Sequence, residues 1–176
     1  MNKTEKVNYN ATMKYANDLL QLNGNMSNRT KISNSTFGLL LKICLRTGIR
    51  VTDLLNLEYS QITENKKYLN TFTLTYHINK TDSSNTVPIG AELMMTIQSY
   101  KIECLKDYGY TSSYIFYNYQ TQKLFSRVWA SKRISKANKD GKLGQVLNVV
   151  GMHSVRRAAV VEIFEKTQDL ALAQSF

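Results

Sequence analysis

Between residues 37 and 89 the hydrophobic spacing changes period, and that change restricts the fold more than any other feature. Phe37, Leu40, Leu41, Cys44 and Leu45 recur at helical spacing, whereas Phe72, Leu74, Tyr76 and Ile78 alternate with Thr71, Thr73, Thr75 and His77. The first spacing predicts an amphipathic helix with one buried face, the second a strand rich in β-formers. Asn79 to Asn85 is turn chemistry and Thr86-Val87-Pro88-Ile89 resumes as a short strand, which makes a β-hairpin with Lys80 at its tip. The sole proline, Pro88, suits an edge strand, where no ladder N–H is needed from it.

Helical patterns surround this hairpin. Tyr9, Met13, Ala16 and Leu20 predict a short helix ended by Gly24, followed by a polar linker over 25–33. Thr47-Gly48 closes the helix that starts near Ser35, and Leu54, Leu55 and Leu57 belong to a second short helix whose leucines point inward. Leu93, Ile97, Tyr100 and Cys104 form another, closed by Gly109; Tyr114 to Tyr117 is a brief extended piece. A basic helix is expected from about Gln122 to Lys136, packing Leu124, Val128 and Trp129 and turning Arg127, Lys132, Arg133 and Lys136 outward, with Asp140-Gly141 as its exit turn. A last helix takes Ser154 as N-cap with Val155, Ala159 and Ile163 inside, and Ala171 and Leu172 begin a further short one. The fold class is therefore mixed, mainly α-helical with a small antiparallel β-sheet. Its expected division is a short N-terminal helix and linker over 1–33 and one domain over 34–176.

Charge narrows the class of partner. The 176 residues carry 23 Lys+Arg against 13 Asp+Glu, a net +10. From Lys123 to Arg157 nine basic residues stand against Asp140 alone. A concentration of that kind is the footprint of phosphate-backbone binding. The tyrosine run Tyr108, Tyr110, Tyr114, Tyr117 and Tyr119 could stack bases, but packs more naturally as an aromatic surface under a helix. Two cysteines, Cys44 and Cys104, fall on apolar helix faces and read as reduced core residues. No Cys/His cluster has zinc-ligand spacing, and neither a signal peptide nor a membrane span is expected, so the protein is placed in the cytoplasm.

Two places carry chemistry. His153-Ser154-Val155-Arg156-Arg157 puts a histidine and an arginine three residues apart at a helix start. Arg50 lies at the turn between two packed helices, an odd position for a long cation. Spacing alone leaves two explanations open for it: an ion pair with Asp53, or an external anion.

Thr47-Gly48-Ile49-Arg50-Val51-Thr52-Asp53-Leu54-Leu55-Asn56-Leu57, then Lys80-Thr81 in a hairpin returning through Val87-Pro88-Ile89, then His153-Ser154-Val155-Arg156-Arg157, closely resembles the catalytic domain of tyrosine recombinases, the phage-integrase family. The resemblance runs from about Asn34 to the end. It implies a mostly helical domain that forms half of a clamp around duplex DNA and associates with further copies on it in the full-length protein. It implies that Arg50 and Arg156 grip the non-bridging oxygens of the scissile phosphate, that Lys80 protonates the departing 5′ oxygen and that His153 assists proton transfer. Asp53 matches the acidic position supporting Arg50, and Ala158 stands where the family often has threonine. Arg127, Lys132, Arg133, Lys136 and Arg157 are the expected DNA-backbone contacts. No cofactor or metal is called for, because fixed guanidiniums can stabilise the charge that builds on equatorial phosphate oxygens.

The resemblance also exposes a gap. The family's nucleophile is a tyrosine well after the second arginine, and here the last tyrosine is Tyr119. The expectation is a catalytic domain cut short of its nucleophile, and without the family's separate N-terminal core-binding domain, an enzyme by lineage that does not cleave DNA alone. The alternative is a non-enzymatic DNA-binding or assembly module that retains the fold; a type IB topoisomerase is a weaker third reading.

Overall fold

A computed structural model of the chain describes residues 8–21, 27–64, 71–78, 83–139 and 151–169. Helix α1 (Tyr9–Gln21) begins at Asn8, whose Oδ1 accepts from the Ala11 amide at 3.0 Å. Helix α2 (Asn28–Thr47) begins at Ser27, whose side chain accepts from the Thr30 amide. The linker expected over 25–33 is thus, from Asn28 on, the first turn and a half of α2. Its Asn, Ser and Thr residues read as turn chemistry locally, but Ser27 is spent as a cap and Ile32 is buried in the core.

Helix α2 is the centre of the molecule. Phe37, Leu40, Leu41, Cys44 and Leu45 are buried as their spacing predicts, and so are Leu39, Ile43, Thr36 and Lys42. A helix buried on every side needs neighbours on every side. Those are α1, α3 (Val51–Leu54), α4 (Ala91–Tyr108) and α6 (Met152–Thr167), which all pack on it. The polar groups this encloses are paired: Thr36 Oγ1 with Tyr100 OH at 2.8 Å, and Lys42 Nζ with Glu92 and Thr96 at 2.9 and 3.1 Å. Both pairings tie α2 to α4.

The alternating segment forms β2 (Thr71–Ile78), paired antiparallel with β3 (Ser83–Gly90) so that Tyr76 faces Asn85 and Thr73 faces Pro88. A strand not anticipated from sequence, β1 (Ile62–Glu64), adds to the other side of β2. The order β1-β2-β3 leaves β3 at an edge, as Pro88 requires. Leu74, Tyr76, Val87 and Ile89 turn into the core. Helix α4 buries Leu93, Ile97, Tyr100 and Cys104 and stops at Gly109 with φ +75°. Residues 113–115 then run beside 57–59, with the Ile115 amide donating to Leu57 O. A two-residue ladder of β4 (Tyr117–Asn118) with β5 (Lys123–Leu124) leads into α5 (Arg127–Lys139).

Two expectations for this region change. Helix α5 starts at Arg127 rather than near Gln122, with Ser126 Oγ accepting from the Trp129 amide, and Leu124 lies in β5. Val128 is exposed, and the buried face is Ala130, Ile134 and Ala137. The last helix starts at Met152 with Gly151 as N-cap, so Ser154 sits in its first turn. The exit turn at Asp140-Gly141, the helix end at Gly24 and the segment at Ala171-Leu172 lie outside the described residues.

At Gly38 helix α1 passes close to the backbone of α2. A Cβ there would stand 2.7 Å from the Ala16 carbonyl oxygen, which is backbone and cannot swing aside. Gly38→Ala should therefore destabilise the domain by about 1–3 kcal/mol, read as a lower urea midpoint at unchanged m-value. Elsewhere in a helix interior the same exchange stabilises by roughly 1 kcal/mol, so the sign of the shift decides.

Candidate functional site

The site is built on the turn that ends α2. Gly48 adopts φ +67°, and its amide donates to Cys44 O at 2.8 Å. Thr47 Oγ1 donates to Ile43 O at 2.7 Å and accepts from the Ile49 amide at 3.3 Å, while Cys44 Sγ donates to Ile49 O at 3.6 Å. Three side-chain contacts thus hold a left-handed turn that only glycine enters cheaply. Two residues later Arg50, in extended conformation, is the N-cap of α3 and remains exposed. Asp53 is buried in the first turn of α3, and its amide donates to Arg50 O at 3.0 Å.

Arg156 arrives from the far end of the sequence. It lies in the second turn of α6, and its Nε donates to the Gly48 carbonyl at 2.6 Å, across 108 positions of chain. That carbonyl is available because the left-handed turn has stopped the α2 ladder. Arg156 is half-buried, and its pKa is pushed below the usual arginine range, first by burial and then by the charge of Arg50; Cys44, Tyr76 and Asp53 act in the opposite direction. Arginine stays charged through such shifts. The consequence is two guanidiniums close enough to repel, one partly withdrawn from water. An anion set between them would relieve both costs.

His153 is exposed on the first turn of α6, one turn before Arg156, and Arg157 is exposed beside it. Lys80 lies outside the described residues, between β2 and β3 in sequence. On α5, Arg127, Lys132 and Lys136 are exposed as expected. Arg133 is a correction: it turns inward, its Nη2 donating to Asn34 Oδ1 at 2.7 Å and its guanidinium lying over the Phe37 ring at 5.2 Å. Burial lowers its pKa, as expected for a cation drawn off the surface.

Sequence reasoning missed Tyr76. It is buried on β2, its electrostatic effect reaches Arg156, and its OH accepts from Asn85 Nδ2 at 3.4 Å. The signal was available: a tyrosine among inward-pointing residues carries a hydroxyl that needs a partner. The tyrosine run packs on itself, with Tyr119 buried, stacked on Tyr108 at 4.7 Å and edge-on to Tyr110 and Tyr117. Both cysteines are buried, and burial pushes the thiol of Cys44 up to about 12 and that of Cys104 up to about 11, which suits reduced core residues. Among the described residues no group of three or more His, Cys, Asp or Glu is arranged to hold a metal ion, and no helix is long and apolar enough to cross a membrane.

A helical domain with a small antiparallel sheet of this kind is a fold found in known proteins. The family model of the phage integrase family matches residues 12–176, and the chain belongs to that family. The match begins inside α1. Among solved structures the chain is similar to the XerH site-specific recombinase bound to its difH substrate, at 20% identity and TM-score 0.72, over 96% of this chain and 46% of that one. It is similar to the λ integrase catalytic core at 17% identity and TM-score 0.63, over 96% of this chain and 92% of that one. XerA recombinase matches at 17% identity and TM-score 0.62, over 94% and 52%. The chain spans about half the length of XerH. No curated protein matches it by sequence.

Replacing Gly48 should test the turn directly. Gly48→Ala places a Cβ in the left-handed region at a cost of about 1–2 kcal/mol, and Gly48→Asn should cost less, because asparagine tolerates that conformation. Equal losses for the two variants in chemical denaturation would mean that the positive φ is not what the position requires.

Proposed function

We propose that this chain is a DNA-binding catalytic domain of a tyrosine recombinase, acting in site-specific DNA recombination or integration, and that Arg50 and Arg156 together hold the scissile phosphate. The observation that carries the reading is the placement of Arg156 on the Gly48 carbonyl, two residues from Arg50, with the two charges close enough to repel. Guanidiniums present parallel N–H donors that match phosphate oxygens, and donors fixed in advance stabilise the extra charge of a pentacoordinate transition state more than that of the bound diester.

His153, one turn before Arg156, is placed in this scheme to move a proton at the reacting phosphate. Lys80 is the general acid for the departing 5′ oxygen, and Asp53 supports Arg50. XerH in the solved complex is bound to its difH site, and λ integrase is seen as a dimer bound to a core site. By extension the partner here is duplex DNA, with self-association on it. Arg127, Lys132, Lys136 and Arg157 are the backbone contacts; Arg133 is withdrawn from that set because it is committed to Asn34.

The reaction needs a nucleophile, and none of the eleven tyrosines follows Tyr119 in these 176 residues. Tyr119 itself is buried in an aromatic stack, and burial pushes its hydroxyl up to about 12. This chain alone therefore binds a scissile phosphate without forming a phosphotyrosyl bond.

Binding to duplex DNA should weaken linearly in log–log salt, and Lys132→Ala or Lys136→Ala should each reduce the slope by about 0.9 with little change in sequence preference. A salt-insensitive interaction in a mobility assay would refute the footprint. Incubation with a nicked suicide duplex should yield no protein–DNA adduct on a denaturing gel. A trapped adduct would mean that one of the tyrosines up to residue 119 can act as nucleophile.

A further inference from the structure

A concavity lies away from Arg50 and Arg156. It is an open cleft of about 140 Å³ bounded by the start of α2, the end of α4, the β4–β5 turn and the start of α5. Tyr117, Phe125 and Trp129 contribute aromatic walls, Asn118 and Gln120 contribute amides, and Arg29 adds a cation. Arg29 and Gly48 lie near opposite ends of α2, so roughly 30 Å separate this cleft from the phosphate pocket. Neither site shares a residue with the other.

We propose that this cleft binds one unpaired nucleobase; the inference rests on the DNA-binding reading above. Size sets the first limit. A cavity of about 150 Å³ accommodates one benzene, so a cleft of about 140 Å³ has room for a six-membered ring. The walls supply the second, since every base has a π-face that stacks on aromatic side chains. The amides supply the third. Asn118 Oδ1 already accepts from the Gln120 and Thr121 amides at 3.0 and 3.3 Å, which fixes the amide plane and leaves its N–H donors for a ligand. A pyrimidine edge carries carbonyl acceptors of the kind such donors seek.

Charge fits as well. Arg29 is exposed, and Arg127, two residues before Trp129, is exposed too, so cations stand at the cleft and at the start of α5 to meet the phosphates flanking a base. The aromatics pack on one another, Tyr119 on Tyr108 and Tyr117, and Phe125 on Trp129, and all five also line the cleft, so a base entering it would extend an existing aromatic stack. The binding chemistry is stacking plus edge recognition, with no covalent step.

Trp129 is the only tryptophan, so its fluorescence reports on the cleft alone. Thymidine 5′-monophosphate should change that emission saturably, and deoxyribose 5-phosphate should not. An equal response to the sugar phosphate would mean an anion site and would overturn the proposal. In a mobility assay a duplex with one unpaired thymine should bind about tenfold more tightly than its fully paired counterpart, a gain within the range of one base–aromatic stack.

Tyr117→Leu should erase that preference and leave paired-duplex binding unchanged. Ser33→Leu, which fills the cleft from α2 without removing a wall, should erase it too and should keep the unfolding midpoint. Persistence of the preference in Ser33→Leu would place the base elsewhere and end the proposal. Loss of all duplex binding in the wild-type chain would instead sink the recombinase reading, and the nucleotide titration would still decide on the cleft.

Discussion

One hydrogen bond organises the region around Arg50 and Arg156: Arg156 Nε to the carbonyl of Gly48. It joins the last described helix to a turn formed more than a hundred residues earlier, and a hydrogen bond from a charged donor contributes about 1.5–3 kcal/mol. Its greater effect is orientation. With Nε committed to the backbone, the guanidinium plane is set. The charge of Arg50, two residues from Gly48, acts with burial to disfavour the charged form of Arg156.

That arrangement depends on α2 not moving. Its burial on all sides makes the Gly48 turn the end of a rigid rod, and the turn inherits its position from the packing of α1, α4 and α6. The pairings of Lys42 with Glu92 and of Thr36 with Tyr100 fasten α4, and with it the base of the hairpin that precedes α4 in sequence, to the same rod. Core and site are therefore one structure. A cavity or clash along α2 would be felt at Gly48 as a change of angle.

Much of this was legible because it is written in periods. The helical spacing of Phe37 to Leu45 and the alternation of Phe72 to Ile78 survive intact, and Gly48 and Gly109 stop their helices with positive φ. What was lost depends on partners remote in sequence. The Asn- and Ser-rich start of α2 reads as a linker until α1 covers it, and β1 is three residues long, too short for any period to register. At the last helix, Ser154 is the better cap by type, but the structure caps with Gly151. The motif residues Arg50 and Arg156 were found by their order along the chain, whereas Tyr76, which acts on Arg156 from the sheet, was concealed by its apolar neighbours.

Arg133 makes the same argument for charge. Counting cations along α5 predicts an outward basic face, yet one of them is the anchor that orients the others. By bonding Asn34 and covering Phe37, Arg133 fixes α5 against α2 and sets its rotation with Ala130, Ile134 and Ala137 inward. Arg127, Lys132 and Lys136 then have no choice but to face solvent. Net charge measures the strength of attraction to a polyanion, but the surface that meets it is decided by which cation the core can satisfy, and that depends on a partner 99 residues away.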